Sequence, residues 1–188
     1  MIQDRYEIRL SGSGGQGIIT AAFILAEAVG VYNGKYVCQT QSYGPEARGG
    51  KSKAEVVISN HEIDYSQATR LDILLAMTQS ATDAYFKDLK REGLLVVDTT
   101  LVDQIPTQRS ITIPFTQIAR NELGKELVAN MVALGAIGYL CPYISLKSLE
   151  KALMAKVPKG TEALNRKALK KGIKAAQKVD LTSLPLQA

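Results

Sequence analysis

Apolar and polar positions along the chain follow two periods, and the switches between them divide it into elements. Residues 6–10 alternate as a strand. A glycine cluster, GSGGQG, follows, and then an apolar stretch with helical spacing over residues 16–29. Two further alternating stretches, YVCQTQS at 36–42 and KSKAEVVIS at 51–59, read as strands. LDILLAM, at 71–77, is a short apolar run suited to a strand covered on both faces. Ser80 is placed to cap the next helix with Asp83 three residues on, before the chain turns at Gly93. LLVVDTT reads as a buried strand ending in Asp98, and SITIP as a last short strand that Pro114 terminates. From there helical spacing takes over, at 115–123, 126–140, 145–154 and 161–178.

Strands that alternate with helices imply an α/β fold, here a single three-layer Rossmann-like domain with a mostly parallel sheet. Two strands between 36 and 59 have no helix between them, which predicts a hairpin or an antiparallel insert in that sheet. The last third is helical. No repeat, low-complexity segment or linker divides the chain, so residues 1–188 are expected to form one domain.

Composition changes this picture only by exclusion. With 46% hydrophobic and 22% charged residues the chain is globular rather than disordered. Its longest uncharged apolar run spans residues 127–140, contains Asn130, and is shorter than the roughly 20 residues a membrane span needs. The start, MIQDRYEIRL, carries acidic residues and runs straight into a strand, unlike a signal peptide, so a cytoplasmic location and no membrane partner are expected. Cys38 and Cys141 lie far apart with no C-x-x-C, so no structural zinc and no four-thiolate cluster is expected from this chain. His61 is the only histidine and sits in a turn-like stretch, which removes a Ser-His-Asp triad and a metal hydrolase. No metal site is expected.

The glycine cluster carries the first chemistry. Gly12, Gly14 and Gly17 satisfy G-x-G-x-x-G between a strand and a helix, the context in which backbone N–H groups and a helix dipole hold a phosphate. A nicotinamide site also needs an acid about 20 residues on, at the end of the second strand. No Asp or Glu occurs between Glu27 and Glu46, which argues against a dehydrogenase. The cluster is denser than that fingerprint requires, with Ser13 and Gly15 inside it and Gln16 at the helix entry, where its amide has a donor and an acceptor to offer. Three readings stay open: close strand–helix packing, a phosphate or diphosphate contact, and a turn facing another subunit.

A second segment narrows them. QSYGPEARGGKS carries Tyr43, Glu46 and Arg48 among Gly44, Pro45, Gly49 and Gly50, a shaped loop rather than a strand. An Arg on such a loop can fork onto a carboxylate or phosphate. GSGGQG, then QTQSYGPEARGG, then NMVALGA from Asn130, then VPKGTEALNRKALKKG occur in order over residues 9–178. Together they resemble the gamma subunit of 2-oxoacid:ferredoxin oxidoreductases, and the PEARGG form resembles the 2-oxoglutarate branch.

The resemblance implies an enzyme complex that decarboxylates a 2-oxoacid, here 2-oxoglutarate, releases succinyl-CoA and reduces ferredoxin. It implies alpha and beta subunits holding thiamine diphosphate and Mg2+, a ferredoxin-like subunit with [4Fe-4S] clusters, and coenzyme A as acyl acceptor. This chain would hold none of these cofactors, carry no catalytic residue alone, and help assemble and close the active centre. Within it, the 12–17 turn is expected to face coenzyme A phosphates or a partner subunit. Arg48 is the best candidate for an anion contact, and Asn130 for a support, capping its helix or linking it to the glycine turn. Ala133, Gly135, Ala136 and Gly138 are expected to permit close helix packing. A basic stretch from Lys147 to Lys178 holds ten Lys and Arg against Glu150 and Glu162. Its apolar stripe, Leu169, Ile173 and Ala176, faces inward on this reading, leaving a solvated face or a docking face for an acidic partner. A nucleic-acid binder lacks a recognised module here and is not expected. The competing reading is a stand-alone nucleotide-binding oxidoreductase, or the pyruvate-specific form of the complex.

Overall fold

The computed structural model describes residues 5–43 and 51–186. Its elements are β1 (Arg5–Ser13), α1 (Ile18–Glu27), β2 (Tyr36–Tyr43), β3 (Lys51–Ser59), β4 (Leu71–Ala76), α2 (Gln79–Tyr85), β5 (Leu89–Asp98), β6 (Ser110–Ile113), α3 (Phe115–Leu123), α4 (Ala129–Leu140), α5 (Leu146–Lys156) and α6 (Glu162–Ala176). The six strands form one sheet in the order β2-β3-β1-β4-β5-β6. β1, β4, β5 and β6 are parallel neighbours in turn. β3 runs against both β1 and β2, which is the antiparallel hairpin expected from two strands with no helix between them.

Alternation within the strands explains the layers. In β1, Ile8 and Leu10 point into the core under α1, α4, α5 and α6, with Val56, Ile58, Ile73, Leu75 and Val96 from neighbouring strands. The opposite face buries Val57, Leu74, Leu95 and Val97 beneath α2 and the segments around Ala68 and Val102. The fold is therefore three-layered but unequal, with most of the helical mass on one side.

The thinner side relies on charge. Arg9 and Glu55, each nearly excluded from solvent, pair at 2.8 Å, and Arg9 also reaches Asp88. Glu55 accepts from Lys53 at 2.9 Å and from the Ala68 N–H at 3.2 Å. Glu7 accepts from the N–H groups of Thr69 and Arg70 at 2.6 and 2.8 Å. Sheet side chains thus fasten segment 65–70 where no helix does so, each donor and acceptor meeting a partner as burial requires.

Several boundaries differ from the sequence reading, each for a local reason. α1 begins at Ile18 because Gly17 adopts a left-handed conformation, and it continues as a wider turn over Ala28–Tyr32. Thr78, not Ser80, caps α2, its side chain accepting from the Ala81 N–H; Asp83 instead accepts from Gln79. The chain does not turn at Gly93. β5 starts at Leu89 and runs through it, because a Cβ there would sit 2.6 Å from the Leu71 carbonyl oxygen, at a register shift in the β4–β5 pairing. The expected helix over 126–140 begins as a 3-10 turn, Glu126–Val128, before α4.

Candidate functional site

The glycine turn joins β1 to α1. Gly15 and Gly17 hold φ of 91° and 71°, the left-handed region in which a side chain is strained. Gln16 folds back on the turn: its Oε1 accepts from the Ser13 N–H at 2.8 Å, and its own N–H donates to the Ser13 carbonyl at 3.2 Å. Gly12 makes room for this latch, since a Cβ there would overlap Gln16 Oε1. Asn130, buried at the start of α4, donates from Nδ2 to the Gly17 carbonyl at 3.0 Å. A Cβ on Gly17 would collide with that same amide. Of the two roles read for Asn130, the structure has it linking its helix to the turn.

Beside the turn lies a groove of about 250 Å³ lined by Gly15, Gln16, Met77, Thr116, Glu126, Leu127 and Ala129. It sits past the carboxyl ends of β1 and β4. The chain leaves β1 for the β2–β3 side of the sheet and returns to β4 on the other side. Crevices at such reversal points are where open α/β sheets bind ligands. The groove is lined by Gly15 and Gln16 of the turn that enters α1, by Thr116 in the first turn of α3 and by Ala129 at the start of α4. The N–H groups of Thr116 and Gln117 are taken by Asp98 and the Thr100 hydroxyl, and a 3-10 turn runs into α4, so the entry of α1 is the helix end open to a ligand.

Sequence reasoning missed Asp98, which positions α3. Fully buried at the end of β5, it accepts from the Thr116 N–H at 3.0 Å, from the Thr116 hydroxyl, and from the Thr100 N–H at 3.0 Å. Thr116 then lines the groove. The signal available was an acid at the carboxyl end of an apolar strand. Met77 and Leu127 were also missed; Leu127 is 75% exposed on the rim. The groove's only acid among these lining residues, Glu126, pairs with Arg120 at 2.8 Å.

The strand ends on either side of the second predicted loop stand next to this site. Ser13 pairs with Lys51, Gly12 with Ser52, and Tyr43 with Ser52, so the strand ends flanking the loop stand beside the glycine turn. Gly44, Pro45, Glu46, Arg48, Gly49 and Gly50 lie outside the described residues, and Tyr43 is placed by its strand alone. This neighbourhood also explains why no nicotinamide acid was found. Beside β1 stands the amino end of antiparallel β3, where a dinucleotide fold presents the carboxyl end of a parallel strand.

Other candidates resolve quietly. Burial pushes the Cys141 thiol up to about 12, which leaves it protonated and unreactive. Among the described residues no group of three or more His, Cys, Asp or Glu is placed to hold a metal ion. No helix among them is long and apolar enough to cross a membrane. On α6, Arg166 pairs with Glu150 at 2.8 Å and Lys171 with Glu122, while Lys167, Lys170 and Lys174 line the same exposed face.

Comparison with known proteins agrees with the architecture. The family model for pyruvate ferredoxin/flavodoxin oxidoreductase matches residues 7–175. The chain is 48% identical to the 2-oxoglutarate synthase subunit KorC of Methanocaldococcus jannaschii, over 95% of this chain and 97% of that one. It is 45% identical to the KorC of Methanothermobacter thermautotrophicus, over 92% and 95%. Among solved structures, a keto/oxoacid ferredoxin oxidoreductase gamma subunit from Geobacter sulfurreducens superposes with a TM-score of 0.83 at 46% identity, covering 93% of this chain and 99% of that one. The 2-oxoglutarate:ferredoxin oxidoreductase of Magnetococcus marinus, solved with 2-oxoglutarate, coenzyme A and succinyl-CoA bound, also reaches 0.83 at 27% identity; this chain covers 33% of it, with 99% of its own length aligned. By this measure the chain belongs to the pyruvate ferredoxin/flavodoxin oxidoreductase family, as a gamma-type chain.

Proposed function

We propose that this chain is the gamma subunit of a multi-subunit 2-oxoglutarate:ferredoxin oxidoreductase, acting as one domain over residues 1–188, and that its groove receives coenzyme A. The reading is supported by identity to 2-oxoglutarate synthase subunits over nearly the full chain. The observation that carries the site is the groove itself, built on the glycine turn that enters α1 and bordered by the starts of α3 and α4.

The lining suits an elongated ligand with an anionic part and an apolar part. Open space stands over Gly15, where the backbone approaches without a side chain. The N-terminus of α1, entered through this turn, favours phosphate there. Leu127, exposed at the rim, offers apolar surface for a pantetheine-like arm, with Ala129 beside it. Coenzyme A supplies the thiol that accepts the acyl group. The chain's own part is to orient that substrate: the Gln16 latch and the Asn130 bond hold the turn, and Asp98 holds the first turn of α3. The donor set among the described residues fits neither Mg2+ nor an iron–sulfur cluster. On this reading thiamine diphosphate, its metal and the clusters are held by alpha, beta and ferredoxin-like partners, with ferredoxin as acceptor. Arg48, which lies outside the described residues, is assigned a cation's part toward a substrate carboxylate or a coenzyme A phosphate on its motif alone.

Leu127→Glu is the direct test, because an exposed rim residue can change without unfolding the chain. In the assembled complex it raises KM for coenzyme A about tenfold, a loss of about 1.4 kcal/mol, and leaves KM for 2-oxoglutarate unchanged. A complex that no longer assembles would instead give this rim to a partner subunit, and an unchanged coenzyme A KM in an assembled complex would remove the groove from the coenzyme site. Arg48→Ala raises the KM of one anionic substrate; unchanged constants and rate would remove Arg48 from the site.

A further inference from the structure

The two edges of the sheet are treated differently. β6 is four residues long and is ended by Pro114. Beside it Arg109 donates to the carbonyls of Leu184 and Pro185 at 3.1 and 3.2 Å, laying the C-terminal segment against that edge. β2, at the other edge, is eight residues, YVCQTQSY, paired with β3 in unbroken register. It has no charge and no proline, and no strand among the described residues adds to its outer side. Natural sheets protect such edges with Lys, Pro, bulges or short length, and β2 has none of these devices. Exposed apolar side chains flank its start: Val31 at 71%, Tyr36 at 54%, and Tyr32.

We infer that β2 is an interface, and that its occupant is β2 of a second copy of this chain, paired antiparallel about a two-fold axis at Thr40. A two-fold pairing sets residues of the same face opposite one another. With Thr40 on the axis, Thr40 opposes Thr40, Cys38 opposes Ser42, Gln39 opposes Gln41 and Val37 opposes Tyr43. Hydroxyl meets hydroxyl, thiol meets hydroxyl, amide meets amide, and a β-branched residue meets an aromatic one, all favourable cross-strand pairs or neutral ones. Moving the axis to Gln39 would set Val37 against Gln41 and lose that match. Charge selects this edge over the others for self-association. The chain carries a net charge of +5, and its α6 face would set lysine against lysine, whereas β2 meets its own image with no like charges. The result is a continuous sheet of twelve strands across two copies.

The test uses the full chain at tens of micromolar. Light scattering with gel filtration gives twice the monomer mass. Thr40→Lys, which opposes two ammonium groups on the axis and leaves each beside its own Glu55, halves that mass while the circular dichroism spectrum is retained. Thr40→Cys in a Cys38→Ser background forms a disulfide-linked dimer on mild oxidation, since opposed Cα atoms about 4.5–5.5 Å apart lie within disulfide reach. The cross-link keeps the proposal testable even if Thr40→Lys fails to fold. A monomer in the unaltered chain, or a dimer that resists Thr40→Lys and yields no cross-link at position 40, overturns it.

Discussion

At the scale of single residues, the glycine turn owes its shape to contacts that leave no room for a β-carbon. Gly17→Ala strains a left-handed backbone and drives a methyl group into Asn130. On the proposed function it raises KM for coenzyme A at least tenfold while the 2-oxoglutarate KM holds, as steady-state kinetics on the assembled complex would show. Equal changes in both constants would mean that the turn shapes the whole subunit rather than the coenzyme site. Glu55 gives a prediction in pH. Burial alone would raise its carboxyl, but hydrogen bonds from Lys53 and the Ala68 N–H, with the Arg9 charge, hold it below the usual carboxylate range. A carboxyl lowered in the folded state contributes stability above its unfolded value and loses it as pH falls toward the folded one. Melting temperature therefore drops on acidification below about 4.5, and Glu55→Gln flattens that limb. If the acid limb of Glu55→Gln matches that of the parent, the network around Arg9 does not hold this carboxylate ionised. Both residues sit on patterns a reader of the sequence sees only in part. The glycines announce themselves, whereas Glu55 looks like any polar position of an alternating strand until the sheet order sets Arg9 beside it.

At the scale of elements, α4 and α6 cross with their backbones in contact. Gly135 faces the Leu169 carbonyl and Gly172 the Val132 carbonyl, so added methyl groups would overlap main-chain atoms that cannot yield. Gly172→Ala costs about 3 kcal/mol by overpacking, readable as a fall in denaturant midpoint at constant m-value. A loss under about 0.5 kcal/mol would show that the helices separate easily. The small residues of α4 announced this crossing; the facing Gly172, set in a run of lysines, did not. Strands 51–59 and 71–77 were legible from apolar period alone, as was the hairpin, because two strands with no helix between them have few ways to pair. The start of β5 was not, because Lys90 to Gly93 are polar or glycine and lie where the β4–β5 register shifts, between the Leu71–Leu89 and Ile73–Leu94 pairs. Thr78 and Ser80 are equally good caps on sequence, and the helix chose the earlier one.

At the scale of the whole molecule, the sheet order decides what the turn is for. A reversed strand beside β1 replaces the partner that a dinucleotide site needs, and the hairpin instead brings Tyr43, Lys51 and Ser52 beside the glycine turn. Four separated motifs made the family legible in the sequence. The groove was not, because Met77, Thr116 and Leu127 come together only when three crossovers are complete. The central claim concerns assembly and chemistry together, so one measurement reaches it most directly. The tagged chain is purified without oxygen from its native host, its companions are identified, and reduction of a viologen dye is followed. The account predicts larger partner chains, iron–sulfur absorbance, and dye reduction that requires both 2-oxoglutarate and coenzyme A. A colourless chain recovered alone, or a complex that reduces dye with pyruvate and not with 2-oxoglutarate, would contradict it.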